Sequence, residues 1–144
     1  MPKNTSVLTD LKIPRIMLAT LEVIAFSLST GCVISPKIDY DFTGRVTKIV
    51  DGDTFYMTGQ PVRIRIWGLS APESRKPGGP EATLALSALI ADQKLGCVQH
   101  HVDRYGRPVA QCYLTDGRDI AAEMIRSGVA TEYCRYSRGE YGHC

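Results

Sequence analysis

Four short polar segments carry side chains that could do chemistry once a fold holds them. They are Asp51-Gly52-Asp53-Thr54, Arg65 inside an apolar run, Ala71-Pro72-Glu73, and Asp103-Arg104-Tyr105-Gly106-Arg107. Carboxylates such as Asp53 and Glu73 supply oxygen donors for a hard cation or carry a proton. Arginines such as Arg65 and Arg107 present a planar fork that takes phosphate oxygens two at a time. Each segment alone also has a plainer explanation. Asp51-Gly52 reads as a hairpin turn, Arg65 as a solvent-facing strand residue, Glu73 as loop solvation beside Pro72, and Arg107 as a turn residue. The turn does not explain Asp53, whose carboxylate is expected to begin a strand.

The elements that must position these residues can be read from periodicity. Residues 43–50 are rich in β-branched side chains, and after Asp51-Gly52 a second run, 54–57, completes a hairpin. Residues 62–67 alternate strictly, which sets Val62, Ile64 and Ile66 on one face and Arg63, Arg65 and Trp67 on the other. Pro80 opens a helix with Ala82, Leu86, Leu89 and Ile90 at helical spacing, running to about Lys94 and ended by Gly96. Strands over 97–102 and 107–114 flank the turn at 103–106, and Asp119 caps a short second helix stopped by Gly128. Five short strands, one helix after the third and another at the end, predict a mainly β protein with helices (α+β), a small OB-type barrel.

Composition bounds the partners. The 144 residues suffice for one ordinary domain, and 44% hydrophobic with 22% charged side chains excludes wholesale disorder, a fibrous repeat and a polytopic membrane protein. A net charge of +2 is too small for a protein that holds nucleic acid mainly by counterion release, so a polyanion must be met at a focused site. Lys3, Lys12 and Arg15 precede an apolar stretch, 16–28, that is short for a membrane span and has the form of an export signal. Leu28-Ser29-Thr30-Gly31-Cys32 resembles a lipoprotein signal with Cys32 as the lipidated residue; a plain signal peptide, a tilted anchor or a packed N-terminal helix are the alternatives. The expected organisation is a signal and short linker over 1–37 and a domain over 38–144. Setting Cys32 aside leaves Cys97, Cys112, Cys134 and Cys144, which admit two disulfides in three pairings, and no CxxC spacing favours zinc. Two disulfides imply an oxidising compartment: periplasm, membrane-anchored lipoprotein or secreted protein.

In this order the four polar segments resemble the staphylococcal nuclease (thermonuclease) family, whose DGDT, RIRLWGIDAPE-like and YGR segments surround one calcium-dependent phosphodiesterase site. The similarity runs from about Gly44 to Tyr136 and includes Gly59-Gln60-Pro61, Gly79-Pro80-Glu81-Ala82 and Gly128-Val129-Ala130. The resemblance implies that Asp53 ligates Ca2+ directly with Asp51 just outside, and that the Ala71 carbonyl is a main-chain ligand. It makes Arg65 and Arg107 the groups that bind the scissile phosphate and Glu73 the carboxylate that activates or orients the attacking water. Tyr105 and Tyr136 fall where the family lines its nucleotide pocket. Tyr133 is expected to pack, and His100, His101 and His143 are expected on the surface. One position departs: Ser70 stands where the family has a ligand Asp, which predicts a looser Ca2+ site because affinity follows carboxylate count.

The function expected on this basis is an exported, metal-dependent nuclease, a monomer, hydrolysing DNA, RNA or both with little sequence preference, and touching a membrane only through its N-terminus. The alternative, which Ser70 favours, is a catalytically weakened OB-fold module that binds nucleic acid or a protein partner. The family's long C-terminal helix has no counterpart before Cys144. A Cys134–Cys144 bond is expected to close the tail in its place, with Cys97–Cys112 clipping the strands joined by the turn at 103–106.

Overall fold

A computed structural model describes residues 37–144. The proposed export signal and Cys32 lie outside the described residues. Among the described residues no helix is long and apolar enough to cross a membrane.

In chain order the elements are β1 (Phe42–Asp51), β2 (Thr54–Met57), β3 (Ile64–Ile66), β4 (Leu69–Ser70), α1 (Gly79–Ile90), β5 (Lys94–Val102), β6 (Pro108–Tyr113), α2 (Ile120–Arg126), β7 (Thr131–Glu132) and α3 (Cys134–Ser137). Five strands close a barrel in the order β1-β2-β3-β6-β5. All neighbours are antiparallel except β3 and β6, whose parallel pairing of Arg65 with Val109 and Ile66 with Ala110 forms the closing seam. This is the expected five-stranded OB barrel of α+β type. Two register shifts in β1 let one long strand serve both β2 and β5 while bending around the barrel. Phe55, Ile64, Ile66, Leu86, Ile90, Leu95, Ile120 and Met124 fill the interior and are buried completely or nearly so. Removing a large core side chain such as Phe55 would cost about 3–5 kcal/mol through lost transfer energy and the cavity left behind.

Several local expectations need correction. Regular pairing of the third strand is confined to Ile64–Ile66, and Val62, placed with the core by alternation, is exposed. Trp67, assigned to the polar face, is buried because the chain leaves the strand there, and its indole stacks on His100 at 4.0 Å. Helix α1 stops at Ile90, short of Lys94, and the chain reverses through Asp92 at a positive φ of 58°. Gly96 is therefore no helix terminator. It lies in β5 beneath the Tyr40 ring, where any side chain would collide with that ring. Asp53 sits in the turn, with Thr54 as the first strand residue. Gly52 does not supply the positive φ usually demanded of a hairpin glycine. A Cβ there would lie 2.6 Å from the Ala82 Cβ and 2.7 Å from the Ala71 Cβ, so it is a point of close approach between the turn, α1 and the loop after β4.

The second helix starts as predicted. The Asp119 carboxylate accepts from Ala121 N at 2.8 Å and Ala122 N at 3.3 Å, satisfying two otherwise free helix donors. No periodicity signals the small β4–β7 sheet, which pairs Leu69 with Glu132 and Ser70 with Thr131. It fastens the tail to the barrel. The tail is then held from three sides. A disulfide joins Cys134 to Cys144, and the buried Glu132 carboxylate accepts from Ser137 Oγ at 2.5 Å, Tyr141 N at 3.1 Å and His143 N at 2.7 Å. Tyr141 Oη donates to Asp119 at 3.1 Å. A second disulfide links Cys97 to Cys112, directly opposite each other on β5 and β6. These are the two pairings expected above.

Candidate active site

The closing seam builds the site. Arg65, central in β3, lies beside Val109 of β6, and two residues before Val109 the turn between β5 and β6 delivers Arg107. Both arginines line one open cleft of about 530 Å3, together with Tyr105, His101, Tyr133 and Tyr136. Two guanidinium groups far apart in sequence thus face the same space because a parallel pair of strands brings their elements together.

Each arginine is fixed by a carboxylate. Arg65 Nη1 lies 3.2 Å from Asp53 Oδ2, with both side chains largely withdrawn from solvent. Arg107 Nε donates to Asp103 Oδ2 at 2.7 Å, while Asp103 Oδ1 accepts from the backbone N of Arg107 at 3.0 Å and of Tyr105 at 2.9 Å. Burial pushes the Asp103 carboxyl up, but these hydrogen bonds and the Arg107 charge outweigh it and leave it below the ordinary aspartate range. Gly106, at φ 75°, lets the turn close. Tyr105 stands exposed at the rim between two cations, with Arg104 Cζ 4.8 Å and Arg107 Cζ 5.5 Å from its ring centre.

Asp53 is the most perturbed acid near the cleft. Its carboxyl is raised to about 6, chiefly by burial and also by neighbouring Asp51, against the lowering effect of the Arg65 charge and of the Thr54 hydroxyl, which donates at 2.8 Å. Asp51 Oδ1 also accepts from Asp53 N at 3.1 Å, which ties the two acids into one turn. Gly52, between them, packs against Ala71, so this turn abuts the Ser70-Ala71 segment. Among the described residues no cluster of three or more His, Cys, Asp or Glu side chains has metal-holding geometry. The oxygen groups of this turn are the Asp51 and Asp53 carboxylates, and the Gly52 contact brings the Ser70-Ala71 segment, with a hydroxyl and main-chain carbonyls, up against it. This all-oxygen set fits a hard cation, and a buried carboxylate with a raised pKa is a group that added positive charge would stabilise.

Glu73 is exposed on the loop before α1 and is not part of the cleft lining. Its main chain is tightly set all the same: the Glu73 carbonyl presses on Gly79 where no side chain would fit, and it accepts from Lys76 N at 2.8 Å. Cys97, Cys112, Cys134 and Cys144 are in disulfides.

Two residues read from sequence as bland belong to the cleft. Tyr133 meets Tyr136 edge-on at 4.9 Å, and His101 stacks on Tyr136 at 5.7 Å. A register shift in β5 between Gln99 and His101 breaks the alternation of that strand. Consecutive residues His100 and His101 are both exposed there, one stacked on Trp67 and the other on Tyr136. No sequence pattern marks such a bulge.

Comparison with known proteins adds an independent line. The family described as staphylococcal nuclease homologue matches residues 63–143. An uncharacterized endonuclease of Escherichia coli O157:H7 is 34% identical over 104 residues, covering 71% of this chain and 68% of that protein. A micrococcal nuclease of Shigella flexneri is 31% identical over 131 residues, covering 84% and 74% respectively. The staphylococcal-like nuclease CAN1 of Arabidopsis thaliana is 34% identical over 76 residues, 53% of this chain and 23% of the plant protein.

Proposed function

The chain belongs to the staphylococcal nuclease homologue family, and from that premise we propose that it is an exported, metal-dependent endonuclease that hydrolyses the phosphodiester bonds of DNA, RNA or both with little sequence preference. The observation that carries this reading is the convergence of Arg65 and Arg107 on one cleft, each oriented by its own carboxylate.

Hydrolysis of a phosphodiester builds negative charge on the phosphoryl oxygens, and two preset forks neutralise it without reorganising. Arg65 and Arg107 bind the scissile phosphate through donors that Asp53 and Asp103 leave open. Tyr105, at the rim, and Tyr136, on the far wall, supply ring faces for adjacent bases, and stacking of this kind discriminates little among bases. Glu73 takes the proton of the attacking water; its carboxylate is exposed and must approach the bound phosphate from the loop before α1. Asp53 and Asp51, with the Ser70 hydroxyl and the Ala71 carbonyl, would hold Ca2+, which when bound supplies Lewis-acid polarisation of the phosphate. The two disulfides and the basic-then-apolar N-terminal pattern support export, with Cys32 as the residue for a lipid anchor.

Ser70 favours one second reading, a nucleic-acid binder of reduced activity. Incubating the purified full-length protein with single-stranded DNA and with RNA, in Ca2+ and then in EDTA, separates the two. We expect cleavage in Ca2+, loss of cleavage in EDTA, and a fall of about 100-fold or more in turnover for Arg65→Ala and for Glu73→Ala. Retained binding without cleavage by the wild type would establish the binder. Undiminished cleavage by either variant would overturn the site assignment.

A further inference from the structure

A second groove of about 540 Å3 adjoins the cleft and shares the His101–Tyr136 stack with it as a common wall. Its floor is Trp67 with His100 stacked flat on it, and its outer side is the tail, which contributes Arg135 from α3 and Arg138 just beyond. Both arginines are exposed, and neither is in an ion pair among the described residues. Arg135 Cζ stands 6.0 Å from the centre of the Tyr136 ring. Glu140 is the one carboxylate in the lining, so the groove carries two fixed positive charges against one negative.

The path from the cleft into this groove runs from guanidinium groups (Arg65, Arg107), over ring faces (Tyr136, His101), to guanidinium groups again (Arg135, Arg138). A single-stranded polynucleotide presents the same succession of phosphate, base and phosphate, and every base has a face to stack. We propose that this tail-built groove is a binding subsite for single-stranded polynucleotide beyond the cleft, in which Arg135 and Arg138 take backbone phosphate and the His101–Tyr136 ridge carries a base. The inference rests on the nuclease reading and deepens it: the protein acts on strands long enough to cross the ridge in preference to short oligonucleotides. The groove depends on the tail being closed, because Arg135 and Tyr136 sit in the helix that begins at Cys134 and is tied to Cys144.

The test compares fluorescein-labelled oligothymidylates of 4 and 12 nucleotides on the wild type, an Arg135→Gln/Arg138→Gln double variant and Glu140→Gln. The wild type should show a KM at least about tenfold lower for the longer strand. The double variant should lose most of that advantage, with kcat/KM on the shorter strand within about twofold of wild type. Its dependence of log affinity on log salt should flatten by about 1.4, the value for two phosphates on a single strand. Glu140→Gln, which removes the opposing charge, should bind the longer strand more tightly and gives a reading if the double variant does not fold. The same lengths are titrated by fluorescence anisotropy on the Arg65→Ala protein in EDTA, with and without the tail substitutions. A wild type that cleaves neither strand would refute the nuclease reading, while length-dependent binding lost in the double variant would still support the subsite. Equal length dependence in wild type and double variant, together with no gain in Glu140→Gln, would overturn the subsite whatever the catalysis.

Discussion

Asp103 grips Arg107 at both ends, accepting from its backbone N at 3.0 Å and from its side-chain Nε at 2.7 Å. The guanidinium is thereby fixed in orientation, and its two terminal nitrogens are the ones Asp103 leaves unbound. Asp103→Ala should release the fork without removing it. We expect kcat/KM to fall about 10- to 100-fold, less than for Arg107→Ala, and the two losses to be non-additive in the double variant. Because the folded-state pKa of Asp103 is lowered, the stability it contributes is complete above the ordinary aspartate range and is lost only as pH falls through the lowered value. Arg107 should therefore stay clamped throughout neutral and mildly acidic solution, and kcat/KM of the wild type between pH 7 and 5 should show no inflection that disappears in Asp103→Ala.

Asp53 has the opposite sign. Its pKa is raised to about 6 by burial, so in the metal-free protein its contribution to stability is complete below the unfolded aspartate value and is lost as pH rises through about 6. Metal-free wild type should consequently lose thermal stability between pH 5 and 7 relative to Asp53→Asn, in which the position cannot ionise. The proposed Ca2+ would take the ionised form, so its half-saturating concentration should rise about tenfold for each pH unit below 6. Calorimetric titrations from pH 7.5 to 4.5 read this directly. A flat profile would remove Asp53 from the ligand set.

Ser70→Asp adds a carboxylate at the end of β4, beside the turn that carries Asp51 and Asp53. The half-saturating Ca2+ concentration should fall, by tenfold or more if the new carboxylate replaces the hydroxyl as a ligand. Without Ca2+ the same variant should be less stable than wild type, since it adds an acid to the segment that abuts the Asp51-Asp53 turn, where one carboxyl is already raised by burial. Thermal melts with and without Ca2+ show both effects, and an unchanged Ca2+ requirement would mean that position 70 does not face the ion.

Cys144→Ser should cost on the order of 2–4 kcal/mol by releasing the tail loop, and Cys112→Ser a similar amount. Their functional effects should differ. Opening the tail affects the segment bearing Tyr136, so KM should rise in Cys144→Ser, whereas Cys112→Ser should act on stability with KM little changed. Denaturant melts and initial rates on one long single-stranded substrate separate the two. Non-reducing peptide mapping that found crossed pairs would overturn the premise.

The barrel was largely legible in the sequence because its strands are short, bounded by turn residues and β-branched. The Asp119 cap and the 103–106 turn also carry their own chemistry in their side chains. The parts that escaped share a physical reason. The β4–β7 sheet pairs only two residues with two, too few for any periodicity. The bulge in β5 turns His100 and His101 against the alternation that would have sorted them. Gly52 was located correctly but for the wrong cause, since its role is contact with Ala71 and Ala82 rather than backbone freedom. Grouping Arg65 with Arg107 needed the family resemblance, because parallel pairing of β3 with β6 cannot be inferred from either strand. The Asp103 clamp was within reach: an acid four residues before an arginine, across a turn ending in glycine, is a local pattern.

The parallel seam between β3 and β6 has a consequence for the life of the chain before it is folded. Arg65 and Arg107 become neighbours only when Arg65 meets Val109 across that seam, and this contact spans more than forty residues of sequence. Contacts of such sequence separation form against a large loop-closure entropy and tend to come late. A nascent or unfolded chain therefore holds Arg65 and Arg107 apart and has no cleft. Under the proposed function, the capacity to hold a phosphate between two arginines would arise only with the closing of this seam, so activity is coupled to completion of the barrel.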